Sequence, residues 1–600
     1  MCGIIGYVGR RRALDVLLEG LRRLEYRGYD SAGVVVQNGH GLSFEKCVGR
    51  IGRLEARVHG RPLPGRAGLG HTRWATHGGV NRSNAHPHFS CDGKVAVVHN
   101  GIVENLAELR EELRRHRFRS ETDTEVIPHL IEEGYERTGG NLLRSVQLAV
   151  RRIRGSLALG VIHSDHPNFL AAARVQCPLV LGLGEGEQFL ASDPLALAPY
   201  TRRIVPLEEG ELAEIDPDGS QIFDGRLAPR ARRAVRVTGV ARAPSRNGHA
   251  YFMAGEIGAQ PRTLAAELRT WSSGPRGVAP PRDFDRVVLV ACGTAWHAAQ
   301  VAKVALEELV GIPAEAALAS ELRYGDHPFG KGTLTIAVSQ SGETADTLAS
   351  VRSAREAGST VLAVTNVGSS SLAREADRVL LMRAGPEIGV AATKTYTSQL
   401  LNLLLLALHL GRARGALPRG PFQELLRQAR LLPGQAGRVL ARADAVRRWA
   451  RRYREGHPFM FIGRRYNLAT AYEGALKMKE LTYLPAEGYG AGEMKHGPLA
   501  LVDERMVCVA VAPRGRVAEK MISNIQEVRA RGGRVLSVAT EGDRAVAAVS
   551  EEVVEIPPCE EMFSPVLAVL PLQLLAYHRA VALGRDVDRP RNLAKSVTVE

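Results

Sequence analysis

Cysteine is sparse in this chain: seven stand in 600 residues, at 2, 47, 91, 177, 292, 508 and 559, and no two form a CxxC pair or a short-spaced framework. That spacing argues against a disulfide scaffold and against structural zinc, and it predicts reduced thiols in the cytoplasm. Long apolar runs are missing too, since no stretch approaches the roughly 18 uninterrupted apolar residues of a membrane helix. The opening MCGIIGYVGRRR puts its charges after a short apolar run, the reverse of a secretory signal. Aromatics make up only 5% of the chain, so any local cluster of rings carries weight. Lysine is scarce, the basic side chains being overwhelmingly arginine, which neither loses its proton nor forms an imine. Each retained lysine therefore asks for a reason, and Lys477, Lys479, Lys495 and Lys595 gather in the last third.

What is abundant excludes less. A formal net charge of +15 raises a nucleic-acid partner, but the arginines are scattered along amphipathic helices. Clusters such as Arg10 to Arg12, Arg114 to Arg117 and Arg447 to Arg454 read as solvated faces. With 45% hydrophobic residues the chain can bury several cores, and its length predicts three or four domains.

The first 240 or so residues mix short β-type runs (Val34 to Val36, Val95 to His99, Leu157 to Ile162, Leu179 to Gly182) with amphipathic helices near Ala13 to Leu24 and Asn105 to Arg115. This predicts an α+β layered domain. A polar, proline-bearing, basic stretch from about Ala228 to Gly248 reads as a linker. The period then changes to strand, turn, helix: Arg286 to Ala291 closes on Cys292-Gly293-Thr294, Leu334 to Val338 closes on Ser339-Gln340-Ser341-Gly342-Glu343-Thr344, and Thr360 to Thr365 follows. That is the grammar of a doubly wound parallel sheet, whose ligands sit at the carboxyl ends of strands. It recurs about 170 residues later in Pro458 to Gly463, Val507 to Val511 and Arg534 to Val538, which predicts two copies of one α/β domain. Only the first copy has the hydroxyl-rich turn, where Ser339, Ser341, Thr344 and backbone N–H groups suit a phosphate. The second has Ala512-Pro513-Arg514 there, so one sugar-phosphate site per chain is expected.

Cys2 is the strongest single candidate for chemistry. Removal of Met1 makes it an amino-terminal nucleophile whose own α-amine, with a reference pKa of about 7.7 to 8.0, lies beside a thiol of about 8.5. His71-Thr72-Arg73-Trp74-Ala75-Thr76-His77-Gly78 packs a guanidinium, two imidazoles and an indole into eight residues, and Arg73 can clamp a carboxylate. Val98-His99-Asn100-Gly101 ends a strand where an amide and a glycine N–H can face an oxyanion. Ser120 to Glu125 supplies carboxylates suited to an ammonium, Asp123 among them.

These segments, with Leu24-Glu25-Tyr26-Arg27-Gly28-Tyr29-Asp30-Ser31-Ala32-Gly33, resemble the amino-terminal-nucleophile glutamine amidotransferases. Together with SQSGETADT, Glu473 to Glu480, Glu493 to Leu499 and the tail Arg591 to Glu600, the whole chain resembles the family of isomerising glutamine:fructose-6-phosphate aminotransferases. The resemblance implies a class II glutaminase domain of αββα layers over 1–227, a linker over 228–248, SIS sugar-phosphate domains over 249–416 and 417–584, and a tail over 585–600. It implies that Cys2 attacks glutamine, Asn100 and Gly101 form the oxyanion hole, Arg73, Thr76, His77 and Asp123 bind glutamine, and Trp74 gates an internal ammonia passage. Thr294, Ser339, Gln340, Ser341 and Thr344 are expected to hold the sugar phosphate. Ring opening falls to His496, proton transfer to Glu480 beside Lys477, and the Schiff base to Lys595. The implied partners are glutamine, fructose 6-phosphate and a second copy of the chain in a homodimer through the SIS domains, with no metal, organic cofactor, nucleic acid or membrane.

Three departures qualify the resemblance. The family's Cys-Gly-Thr-Ser turn ends here in Ala295, its Ala-Ser-Thr-Lys stretch reads Ala391-Ala392-Thr393-Lys394, and its inter-domain motif has lost polar groups over 249–261. Each lost hydrogen bond to the sugar is worth roughly 0.5 to 1.5 kcal/mol. Amination of a different keto-sugar phosphate is the alternative these allow. A sugar-phosphate-binding regulator is a third reading, opposed by the proton-shuttling set Glu480, His496 and Lys595.

Overall fold

A computed structural model of the chain describes residues 2–61, 63–237, 246, 248–272, 284–326, 329–453 and 456–598. It divides into two compact units: Met1–Arg242 with Ser596–Glu600, and Ala243–Lys595.

In the first unit an eight-stranded sheet runs Val235–Arg236, Arg203–Pro206, Val180–Leu183, Glu187–Ala191, Gly3–Gly9, Ala67–Arg73, Ser31–Asn38, Gly41–Val48. A six-stranded sheet runs Gly219–Phe223, Leu212–Asp216, Leu170–Val175, Gly155–His163, Val95–Val103, His88–Phe89. The strand at the amino terminus shows why the sheets stack. Side chains alternate along it, so Ile4 and Val8 enter the core shared with Val98, Ala158 and Leu170, while Ile5 and Tyr7 face the helix Ala13–Leu24. On the far side, Val126–Arg137 and Leu142–Arg152 cover Val95, Val97, Leu159 and Val161. The layering is αββα. The second helix read from the sequence is shorter than its pattern, Leu106–Glu112, with Leu113 closing it. Part of the stretch read as a linker is sheet, since Val235–Arg236 pairs with Arg203 and Ile204 at an edge. Residues 238–245 and 247 lie outside the described residues.

The second unit holds two five-stranded, wholly parallel sheets with the same strand order, second-first-third-fourth-fifth: one from Arg286–Ala291, Ala314–Leu318, Thr333–Ser339, Thr360–Thr365 and Arg378–Leu381, the other from Phe459–Gly463, Ala486–Gly490, Val507–Ala512, Arg534–Thr540 and Glu552–Ile556. Strands such as Arg286–Ala291 and Val507–Ala512 are buried almost throughout, as parallel strands covered on both faces must be. The helices Lys394–Ala413 and Ser564–Ala582 are buried nearly all round because they lie inside the joint core. Glu561–Ala582 is long and apolar enough to cross a membrane, with a mean hydropathy of 1.3, but 78% of that window is buried inside the protein. It is a core helix.

Candidate active sites

Cys2 stands immediately ahead of the central strand Gly3–Gly9. Only glycine fits at position 3, where a Cβ would meet Leu24 Cβ and Thr72 Oγ1 at 2.7 Å, and this close packing draws the thiol onto the neighbouring strand's end. There the Trp74 N–H donates to Cys2 Sγ at 3.3 Å. Asn100, in the strand Val95–Val103, donates from Nδ2 to the Cys2 carbonyl oxygen at 3.0 Å. His71 Nε2 lies 3.1 Å from both Asn100 Oδ1 and the His99 carbonyl, so an Nε2–H tautomer satisfies both acceptors and fixes which way the amide points. Burial pushes His71 down to about 3, keeping it neutral. Burial raises the Cys2 thiol, with Arg73 acting to lower it and Asp123 to raise it.

Gly101 follows with φ +148°, and a Cβ there would fall 1.9 Å from the Ser156 carbonyl oxygen. Nothing but glycine is accommodated, because Ser156 and His99 crowd the place a side chain would take. Arg73 is buried and curls the loop after it around its own guanidinium, donating to the carbonyls of His77 at 2.5 Å and of Gly78 and Gly79 at 3.3 Å. His77 thus meets Arg73 through its main chain, while Thr76 is exposed. Asp123 is buried and accepts from the Val103 N–H at 2.8 Å. Trp74 is half-buried and packs edge-on against Tyr29, with ring centroids 5.9 Å apart. Sequence reasoning gave no role to Asp30, whose carboxylate accepts from the Ala75 N–H at 2.9 Å and anchors the same loop. Its place in LEYRGYDSAG was the available signal.

The second unit gathers a separate constellation. Lys477 and Glu480 share a face of the helix Tyr466–Thr482 and their charged atoms lie 2.5 Å apart. Lys477 is fully buried, with Glu473 Oε1 at 3.4 Å and a hydrogen bond of 3.1 Å to Thr294 Oγ1. Thr294 donates in turn to Glu473 at 3.2 Å, and His297 Nδ1 is 2.7 Å from the other Glu473 oxygen. Burial alone would lower Lys477, but Glu473 and Glu480 outweigh it and raise it. Thr294, read as a sugar-phosphate ligand, here spends its hydroxyl on this buried network.

The turn after Thr333–Ser339 has the form its sequence predicts. Ser339 Oγ accepts from the Gly342 N–H at 3.1 Å and lies 3.0 Å from Thr344 Oγ1, and the Ser341 hydroxyl accepts from the Glu343 N–H at 3.2 Å. Gln340 contributes its carbonyl to the Asn366 N–H at 3.1 Å. Gly342 takes φ +65°, and a Cβ would strike Ser370 Oγ at 2.2 Å. Thr344 then begins the helix Ala345–Glu356, whose N–H groups point toward the turn. Ala295 is packed in the core of this unit.

Lys595 is drawn inward by Glu387 Oε2 at 2.5 Å and the Gly389 carbonyl at 2.8 Å. Glu387 is itself fixed by the N–H groups of Thr393 and Thr395 at 3.0 and 3.1 Å. Burial would raise this carboxylate, but Lys595 and the Thr395 bonds hold it down at about 2. Glu256, accepting from Ile388 and Gly389, is pushed up to about 7 by burial and by the charge of Glu387. Neither glutamate was singled out from sequence, because only the folded chain brings them to Lys595. His496 ends the 3-10 helix Ala491–His496 exposed, and among the described residues no contact of it with Lys477, Glu480 or Lys595 is seen.

Comparison with known proteins agrees with this division. Residues 71–199 match the glutamine amidotransferase domain, and 282–409 and 454–583 each match the SIS domain. The chain is therefore a glutamine amidotransferase joined to paired SIS domains. It is 50% identical to the glutamine–fructose-6-phosphate aminotransferase (isomerizing) of Thermus thermophilus and 49% identical to that of Symbiobacterium thermophilum, with all of both chains covered in each case. The C-terminal domain of glucosamine-fructose-6-phosphate aminotransferase from Francisella tularensis, a solved structure, is 33% identical with a TM-score of 0.54, covering 58% of this chain and all of its own. The chain belongs to the family of isomerizing glutamine–fructose-6-phosphate aminotransferases.

Proposed function

We propose that this enzyme moves the amide nitrogen of glutamine to fructose 6-phosphate, yielding glutamate and glucosamine 6-phosphate. Carrying the reading is the union, in one chain related along its whole length to such enzymes, of a Cys2-headed αββα unit with a hydroxyl-lined SIS turn.

In the glutaminase unit, the Cys2 thiolate attacks the amide carbon while Arg73 holds the substrate carboxylate and Asp123 its ammonium, with Thr76 and His77 beside them. The oxyanion is met by Asn100 Nδ2 and the Gly101 N–H. The Cys2 α-amine, free once Met1 is removed, takes the thiol proton as base and returns it to the departing amide nitrogen, which leaves as ammonia, and water then releases glutamate from the thioester. Ammonia passes internally, gated by Trp74, which spares it protonation in bulk water. In the SIS unit, Ser339, Gln340, Ser341 and Thr344 hold the phosphate, with Thr294 nearby. His496 opens the ring, Lys595 forms the imine at C2 and yields it to ammonia, and Glu480 carries the proton from C1 to C2. Lys477 fixes the Glu480 carboxylate in position. The chain works in the cytoplasm as a homodimer through its SIS domains.

The test is a ratio: with glutamine and fructose 6-phosphate, glutamate and amino sugar appear in equal amounts, and Cys2→Ala abolishes both while ammonia-driven synthesis persists. Failure to form any amino sugar, or a Cys2→Ala protein that still uses glutamine, overturns the proposal.

A further inference from the structure

Three segments of the glutaminase unit converge on a group that the reaction does not use. Cys91 lies in the turn between His88–Phe89 and Val95–Val103, His116 follows the helix Leu106–Glu112, and His129 and Glu132 stand one turn apart on Val126–Arg137. One ligand atom from each, Sγ, two Nδ1 and a carboxylate oxygen, falls within 4.8 Å of all the others.

Four of the six separations are close to those of a coordination shell. Cys91 Sγ is 3.5 Å from His116 Nδ1 and 3.7 Å from His129 Nδ1, and Glu132 Oε2 is 3.1 Å from the first of these nitrogens and 3.5 Å from the second. A tetrahedral zinc ion with bonds of about 2.3 Å to sulfur and about 2.0 to 2.2 Å to nitrogen and oxygen separates its ligand atoms by roughly 3.3 to 3.6 Å. The outer contacts suit the same purpose. His116 turns Nε2 toward Glu133 Oε1 at 3.4 Å, a carboxylate that orients the ring, and the Arg117 N–H donates to Cys91 Sγ at 3.3 Å, which favours a thiolate. The N–H groups of Cys91 and Asp92 fix the Glu132 carboxylate at 3.1 and 3.2 Å.

We propose that Cys91, His116, His129 and Glu132 bind one zinc ion in a closed, structural site. One sulfur, two imidazoles and one carboxylate select zinc over magnesium or calcium, which prefer oxygen alone. Binding displaces the thiol proton to solvent and leaves no open position for a substrate. Its effect is mechanical: the ion clasps both ends of the segment from His116 to His129, which carries Asp123. The cysteine spacing argued against zinc because it was read for paired cysteines, whereas here a single cysteine joins three other ligands and the four come from three segments.

The full-length protein, purified with reductant and without chelator, is expected to carry about one zinc per chain by elemental analysis. Loading with cobalt in place of zinc should give a thiolate-to-cobalt charge-transfer band, persisting in Cys2→Ala and absent from Cys91→Ser. Cys91→Ser and His116→Ala, both at the edge of the unit, should retain zinc at least tenfold less tightly, and chelation should lower the melting temperature of the wild type but not of these variants. The absence of a charge-transfer band in cobalt-loaded wild type, or zinc content unchanged in both variants, overturns the proposal.

Discussion

Lys595 Nζ lies 2.5 Å from Glu387 Oε2, a buried ion pair that ties the end of one compact unit to a carboxylate two hundred residues earlier in sequence. Lys595 and the Thr395 hydrogen bonds hold the Glu387 carboxyl below the ordinary carboxylate range, so it contributes stability that is fully present above about pH 4.3 and is lost as pH falls toward 2. Glu387→Gln should lower the melting temperature at pH 7 and flatten the acid limb of the stability profile. It should also reduce the borohydride-trapped adduct with fructose 6-phosphate while glutaminase activity is unchanged. A variant with the wild-type acid limb would contradict the assignment.

The neighbouring Glu256 acts in the opposite sense. Its pKa is raised to about 7, so the folded state holds a proton that the unfolded state has released, and stability falls as pH rises from about 4.3 to 7. Glu256→Gln keeps an acceptor for the Ile388 and Gly389 N–H groups and removes that cost. Thermal melts should show the variant close to wild type at pH 5 and above it at pH 8.

Four of the buried histidines of the glutaminase unit, at 71, 86, 88 and 99, lie around the Cys2 strand's neighbours, with the rings of His71 and His86 stacked at 3.9 Å. Burial lowers the pKa of each. The unfolded chain therefore takes up protons below about pH 6.5 that the folded chain refuses, and stability drops as pH falls from there toward 3. Denaturant titrations at pH 7.5 and pH 5 should show that loss, and His86→Asn should lessen it.

Gly101→Ala sets a Cβ against the Ser156 carbonyl in a left-handed backbone region. Glutamine-dependent synthesis should fall at least a hundredfold, as for loss of an oxyanion donor. Ammonia-dependent synthesis, measured in the same preparation, should remain.

Lys477→Ala leaves Glu473 and Glu480 without their cation inside the protein. Breaking one side of a buried pair costs about 3 to 5 kcal/mol, so chemical unfolding should register that loss along with the loss of amino-sugar synthesis. Lys477→Ala with Glu473→Gln should recover part of the stability but none of the synthesis.

The contrast between these residues shows what a linear reading reaches. Strands such as Thr360–Thr365 and the helix Ala13–Leu24 were legible to the residue, because their periodicity is local and their burial follows from it. Cys2, HTRWATHG and SQSGET were legible because chemistry demands unusual residues close together. The partners that set their behaviour were not. Glu387 and Glu256 read as ordinary acids, the glutamate at 473 as one more helix charge, and Val235–Arg236 as linker, since each gains meaning only from a contact far along the chain. Lys477, which sequence patterning alone would put on a solvated face, is wholly buried because Thr294 and Glu473 together satisfy it.

That last bond joins the two repeats of a duplicated domain: Thr294 belongs to the first and Lys477 to the second. The hydroxyl turn lies in one copy, and the lysine with its two acids in the other. Parting the copies would leave the Lys477 ammonium without its Thr294 partner, so each repeat completes its polar interior only with the other present.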